Sequence, residues 1–276
     1  MNRKRLGRSG LSVSELGFGA RWLVKKGKSD AEFLAAREAL KAAVNAGITV
    51  VDTASGYGES EKVIGEVLKE MKVRVTLSSK CWASDEAKIR ACVEKSLRDL
   101  NLQSLDIYLI HNPEDTFTAL PIFQKLKEEK LIRAIGVCGW HGDEDLMLRA
   151  IADGRADILQ VALTLAHRGM LEKGVVLEAV KRDLGIQVMG PLAKGVLSGP
   201  SPAIAALEPY GVHTLAQASL KFLIDHLPNG VPIPGTSKPE RITEFVAAAD
   251  LPVIDEKVWQ KVIAEVGKIP ALAELP

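Results

Sequence analysis

One rhythm governs this chain. Apolar runs of three to five residues return eight times, at 16–19, 49–52, 76–80, 107–111, 134–138, 158–161, 187–189 and 231–233. Between them lie longer stretches in which apolar residues recur every three or four positions, at 31–45, 61–70, 85–100, 120–129, 143–152, 174–184, 214–226 and 239–249. A strand covered on both faces is apolar throughout, and a helix laid on a sheet is apolar along one stripe, so the pattern is strand then helix, eight times over. Several helical stretches end in glycine, as in Asn45-Ala46-Gly47 and Asp153-Gly154, where a left-handed residue stops a helix.

Eight such units in 276 residues, with no composition break or linker, fit one closed (β/α)8 barrel over 1–276; an open doubly wound sheet uses fewer strands. Residues 3–15 alternate basic and apolar around Ser9-Gly10, as in a β-hairpin placed before the barrel, and 255–266 reads as an extra helix after it.

The hydrophobic fraction of 47% can fill a substantial core, and 36 basic against 35 acidic residues leave no basic field for nucleic acid. Met1-Asn2-Arg3-Lys4-Arg5 runs into Leu6-Gly7-Arg8-Ser9-Gly10 without an apolar leader core, and no later stretch has the length of a membrane span. A cytoplasmic protein, a monomer or weak homo-oligomer that engages neither membranes nor nucleic acid, is expected. Cys81, Cys92 and Cys138 are odd in number and lack metal-ligand spacing, which suits reduced thiols and no metal site.

Barrel chemistry gathers at the carboxyl ends of the strands. Asp52, Lys80 and His111 end three consecutive strands, and Tyr57 lies in the loop 54–58 that leads from Asp52 into a helix whose cap reads as Ser60. A buried carboxylate needs a cation, and Lys80 is the candidate. Singly, each of these residues reads as well as a capping, snorkelling or structural group; four at successive strand ends are hard to ascribe to chance. A neighbouring ammonium lowers the pKa of a phenol, so Tyr57 beside Lys80 suits delivery of a proton to a developing alkoxide, with His111 orienting a carbonyl. The chain has no hydride donor of its own, which implies a nicotinamide cofactor.

The run Val51-Asp52-Thr53-Ala54-Ser55-Gly56-Tyr57-Gly58-Glu59-Ser60-Glu61 resembles the aldo-keto reductase signature. The likeness continues in the family's order through Ser79-Lys80, Ser96-Leu97-Arg98-Asp99-Leu100, Asp106-Ile107-Tyr108-Leu109-Ile110-His111, Ile132-Arg133-Ala134-Ile135-Gly136-Val137, Gln160, Pro191-Leu192-Ala193-Lys194-Gly195-Val196-Leu197-Ser198-Gly199 and Ile233-Pro234-Gly235-Thr236-Ser237-Lys238-Pro239-Glu240-Arg241. The resemblance implies NADPH-dependent reduction of aldehydes and ketones, with Asp52, Tyr57, Lys80 and His111 as catalytic tetrad and Tyr57 as general acid. It implies NADP(H) held in an extended pose, in preference to NAD(H), by Gly19, Ala20, Asp52, Gln160, Met189, Pro191, Leu192, Gly195, Gly235, Thr236, Ser237 and Arg241. Thr236 and Ser237 at a helix start, with Arg241 one turn on, suit the 2′-phosphate. Gly17-Phe18-Gly19 is too slight a motif to be a dinucleotide-binding turn.

Three positions depart from the family pattern. Cys138-Gly139 stands where Ser-Asn is usual, Met189 where an aromatic ring stacks on the nicotinamide, and Phe245 where an asparagine faces the adenine. Trp22, Trp82 and Trp140, just beyond strands one, three and five, are expected at the barrel mouth as substrate-binding residues beside His111, which suits apolar or aromatic carbonyls. Trp259 reads as packing and His141 as an exposed loop residue. The short loop 198–212 predicts an open pocket and broad specificity. The alternatives are an NADP(H)-binding redox-sensing or partner subunit with little turnover, a Schiff-base aldolase using Lys80, and a metal-dependent hydrolase, the last two ranked lower.

Overall fold

The computed structural model describes residues 1–270. It opens with an antiparallel hairpin, β1 (Arg3–Arg5) and β2 (Ser12–Ser14), in which Lys4 faces Val13. Eight parallel strands follow in chain order: β3 (Phe18–Gly19), β4 (Val50–Asp52), β5 (Thr76–Cys81), β6 (Leu105–Ile110), β7 (Ile132–Gly139), β8 (Ile158–Ala162), β9 (Gly185–Met189) and β10 (Gly230–Pro232). Each pairs with its neighbour in sequence. The Gly17 N–H donates to the Pro232 carbonyl and the Gly19 N–H to the Pro234 carbonyl, both at 2.9 Å, so the first strand meets the last and the sheet closes as a (β/α)8 barrel.

That seam explains the glycine pair before Ala20. A Cβ on Gly17 would lie 2.7 Å from Ile233 Cγ2, and one on Gly19 would lie 2.8 Å from the Ile233 carbonyl oxygen. Only bare backbone permits the approach.

Helices α1 (Asp30–Asn45), α2 (Ser60–Met71), α3 (Glu86–Asp99), α4 (Thr116–Glu128), α5 (Glu144–Asp153), α6 (Gly169–Glu172), α7 (Val175–Lys181), α8 (Leu215–His226), α9 (Glu240–Ala249) and α10 (Glu256–Val266) are the α-helices, and a nine-residue 3-10 helix, Pro202–Tyr210, lies in the loop before α8. The outward strand side chains, among them Val51, Leu77, Tyr108, Ile110, Val137, Leu159 and Val188, share one core with the apolar stripes of the helices. The extra helix α10 starts at an Asp255 cap and buries Trp259, whose Nε1–H lies 3.3 Å from Asp225.

Most boundaries differ from the sequence reading by a residue or more, and two of them are instructive. The first barrel strand is only Phe18–Gly19, not 16–19, because pairing with β4 begins at Phe18. Helix α4 begins at Thr116, not 120, and carries Pro121 inside it. A proline reads as a first-turn residue; here its missing N–H falls where it would have bonded the Phe117 carbonyl.

Inside the barrel, Leu6, Leu11 and Val13 of the hairpin pack with Val50, Ile107, Leu109, Ala134, Ile158 and Val231. The hairpin therefore plugs the amino-terminal end. Asp106 braces the same end: it receives the Leu77 N–H at 3.0 Å and pairs with Arg74 and Arg133, each at 2.9 Å. Above this apolar floor the interior becomes polar, at Asp52, Ser78, Lys80, His111, Gln160 and Gln187, all buried.

Candidate active site

The loop bearing Tyr57 is tied to its neighbours on both sides. Ser55 donates from its N–H and its hydroxyl to the Lys80 carbonyl, both at 3.0 Å, and the Tyr57 N–H donates to the Ala54 carbonyl at 2.9 Å. Gly58 turns the chain at φ 51 into α2. Ser60 is not the cap that the sequence suggests. The cap is Glu59, without a side-chain bond of its own to the helix; its carboxylate accepts the Lys25 N–H at 3.3 Å. Ser60 lies one residue inside and donates to the Ala20 carbonyl at 2.9 Å while accepting from Thr53 at 2.9 Å, which joins the loop after β3 to the loop after β4. Glu61, buried in the first turn of α2, takes the Ser79 hydroxyl at 2.7 Å.

Lys80 and Asp52 form the buried pair expected from their strand-end positions. Lys80 Nζ lies 2.6 and 2.8 Å from the two Asp52 oxygens and 2.8 Å from the Thr53 carbonyl, so all three of its donors are used. Burial opposes its charge most, but Asp52, Tyr57 and Cys138 together outweigh it and hold the ammonium above the ordinary lysine pKa.

Asp52 is itself held from below. Its Oδ1 lies 3.0 Å from the Ser78 hydroxyl and 2.8 Å from Gln160 Nε2. Gln187 Oε1 lies 3.1 Å from the same hydroxyl and 3.0 Å from the same amide, while its own Nε2 is buried without a partner. Gln160 Oε1 accepts from the Cys138 thiol at 3.7 Å. Gln160, read from sequence as a cofactor contact, is thus fully buried among Asp52, Gln187 and Cys138. Ser78 and Gln187 were not singled out in the sequence; a glutamine inside the apolar run Ile186–Val188 was the available signal.

Tyr57 lies half-buried over this pair, its ring centroid 5.5 Å from Lys80 Nζ. The expectation of a lowered phenol pKa is not met. Burial raises it, and although Lys80 pulls it down, Asp52 pushes back, so the net shift is upward from the ordinary tyrosine value. The phenol therefore keeps its proton at neutral pH.

His111 meets Tyr57 edge-on, with centroids 6.1 Å apart at 79°. Burial, with Lys80 next, lowers its pKa to about 4, leaving a neutral imidazole. Trp82 and Trp140 flank it at 4.8 and 6.3 Å, both exposed. Trp22 is exposed as well; Lys28 Nζ is 5.6 Å from its ring, and a Cβ on Gly235 would lie 3.3 Å from its Cδ1. Arg21, which the sequence reading passed over, places Cζ 5.9 Å from the Tyr57 centroid. His141 is exposed and faces His167 at 5.0 Å. Among the described residues no group of three or more His, Cys, Asp or Glu side chains is arranged to hold a metal ion.

The loop after β9 turns through Ala193, Lys194 and Gly195 at φ of 48, 53 and 96°, with the Ala193 and Gly195 N–H groups donating to the Gly190 and Leu192 carbonyls at 3.0 and 2.9 Å, and it leaves Lys194 exposed. Ser219 fixes the approach to this loop by donating to the Pro191 carbonyl at 2.6 Å. Next to it, Gly19 and Gly235 come so close that a Cβ on Gly235 would lie 2.7 Å from the Gly19 oxygen. Thr236 is buried and accepts the Lys238 N–H at 3.0 Å, Ser237 is half-buried, and Arg241 in α9 pairs with Glu244 at 3.0 Å. Met189 is half-buried at the rim, and Leu192 is buried. Of the departures from the family pattern, Cys138 points inward, a side chain on Gly139 would have to displace the buried Met147, and Phe245 is core.

Comparison with known proteins decides the family. The profile of the aldo/keto reductase family matches residues 15–265. The chain belongs to that family. It is 30% identical over 257 residues to an uncharacterized oxidoreductase of Mycobacterium tuberculosis, covering 79% of this chain and 77% of that one. It is also 30% identical over 233 residues to glyoxal reductase of Bacillus subtilis, covering 80% of each. An aldo-keto reductase from Klebsiella pneumoniae, crystallised with NADPH, superposes with a TM-score of 0.80 at 26% identity, over 100% of this chain and 99% of the other. The protein is accordingly an oxidoreductase of the aldo/keto reductase family, and the strand-end cluster around Tyr57 lies within the matched region.

Proposed function

We propose that the protein reduces aldehydes and ketones to alcohols with NADPH, and that Tyr57 supplies the proton. The observation that carries this reading is the protonated Tyr57 ring set over a charged Lys80 and beside a neutral His111, at the end of the barrel where such enzymes work. The exposed Lys194 and the Gly19–Gly235 approach fit an extended dinucleotide, and the NADPH complex of the Klebsiella relative supports that choice. When bound, the cofactor supplies the hydride.

The residues of the chain do the rest. His111, neutral, donates one N–H to the substrate carbonyl and orients it. Tyr57 gives its proton to that oxygen as charge develops there; an alkoxide is a much stronger base than a phenolate, so a raised phenol pKa does not stop the transfer. The phenolate left behind is stabilised by Lys80, whose charge Asp52 maintains. Trp82 and Trp140 favour an apolar or aromatic substituent, and an open mouth favours broad specificity.

A charged Lys80 with every proton engaged is not a nucleophile, which counts against a Schiff-base aldolase. A cofactor-binding redox-sensing or partner subunit with little turnover is supported by Cys138-Gly139 and by the engaged Gln160 amide. NADPH oxidation with an aromatic aldehyde, measured for the wild type and Tyr57→Phe, separates the two. The enzyme reading requires turnover that the substitution removes.

A further inference from the structure

The segment after β3 carries four cations, Arg21, Lys25, Lys26 and Lys28. Lys25 pairs with Asp30 at 3.1 Å, and Lys28 donates to the Val24 carbonyl at 3.0 Å. Arg21 turns to the Tyr57 ring instead, and among the described residues it makes no ion pair and no side-chain hydrogen bond. Its charge is felt at both Tyr57 and His111. Lys80 and Asp52 cancel, and Tyr57 and His111 are uncharged at pH 7, so the guanidinium adds an uncompensated positive charge to the place where the carbonyl must sit.

A guanidinium held over a ring face presents its planar N–H fork to a ligand, and a carboxylate matches that fork with two parallel hydrogen bonds. Trp82 and Trp140, on the His111 side, offer apolar faces. Resting on the reductase reading, we propose that the preferred substrates are carbonyl compounds that also carry a carboxylate, bound with the C=O at Tyr57 and His111 and the carboxylate on Arg21. In the reductase reading the cofactor phosphates fall to the exposed Lys194 and to Thr236–Arg241. Trp22, the next residue, turns toward that side, at Gly235, while Arg21 turns to Tyr57.

The test compares 4-carboxybenzaldehyde with methyl 4-formylbenzoate in the wild type, Arg21→Met and Arg21→Lys. The two aldehydes share ring and carbonyl, so any effect of Arg21 on Tyr57 cancels in the ratio of their kcat/KM values. The ratio should favour the acid by on the order of 10- to 100-fold in the wild type, fall toward one in Arg21→Met, and survive in part in Arg21→Lys. Tryptophan-fluorescence titration with benzoate and benzamide reads the same site without turnover: benzoate should bind more tightly, and only while Arg21 is present. An equal ratio in the wild type and Arg21→Met, with both aldehydes reduced, overturns the proposal and leaves the reductase reading standing. Arg21-dependent benzoate binding without reduction of either aldehyde does the reverse. Loss of NADPH affinity in Arg21→Met with an unchanged ratio assigns Arg21 to the cofactor and also overturns the proposal.

Discussion

Asp52 and Gln160 are 108 residues apart in the chain, and their side chains meet at 2.8 Å inside the barrel. The Gln160 amide is spent on the carboxylate that holds Lys80, and on Gln187 behind it. Gln160→Leu should therefore loosen Asp52 and lower kcat by about tenfold, at a stability cost of about 1–3 kcal/mol for the hydrogen bonds lost to Asp52 and Gln187. NADPH affinity, measured by fluorescence, should change little. A large loss of affinity with kcat preserved would show that Gln160 serves the nicotinamide instead.

Removing the ammonium should cost both activity and stability. Lys80→Met leaves Asp52 buried with no cation, a situation that destabilises by roughly 3–5 kcal/mol. In the double variant Asp52→Asn/Lys80→Met most of that loss should be recovered in urea unfolding, while carbonyl reduction stays abolished. Recovery of activity along with stability would mean that the pair is structural only.

His111 makes stability depend on pH with a definite sign. Its folded pKa of about 4 lies below the unfolded value near 6.5, so between those limits the unfolded chain binds the proton more readily. The stability it protects is complete above pH 6.5 and declines as pH falls toward 4, by up to about 3 kcal/mol. His111→Asn should lack this component. Unfolding free energies for the two proteins at pH 4.5, 5.5 and 6.5 should converge as the solution is acidified; parallel curves would mean that His111 titrates normally.

The tryptophans should divide by function. Trp82→Ala and Trp140→Ala each remove a ring from beside His111, and each should raise KM for aromatic aldehydes several-fold, in line with about 0.5–1.5 kcal/mol per aromatic contact. Trp22→Ala, removing a ring that lies toward Gly235, should leave KM for the aldehyde unchanged. Equal effects from all three would place Trp22 in the substrate pocket as well.

Much of this is legible in the sequence. The apolar runs place the strands within a few residues, and once they are strands of a barrel, Asp52, Lys80 and His111 must share one end. The illegible part depends on distances across the fold. Gly17 and Gly19 read as a weak motif, and only the seam with Pro232 and Pro234 gives them a reason. Gln187 reads as an ordinary strand residue, because its partners Ser78 and Gln160 come from other strands. The upward shift of Tyr57 follows from its depth, which a sequence does not display, and from Asp52 offsetting part of the Lys80 charge. Arg21 stands beside Trp22 in the chain yet faces a different neighbour, since the turn after β3 sends successive side chains apart.

The phenolic proton of Tyr57 is the centre of the account, and one measurement addresses it. NADPH oxidation with an aromatic aldehyde should be flat for the wild type through neutral pH and decline only above pH 10, where the buried phenol begins to ionise. Tyr57→Phe should lower kcat by on the order of 10²–10⁴ at every pH while still binding NADPH. A Tyr57→Phe protein that turns over at the wild-type rate would contradict the account.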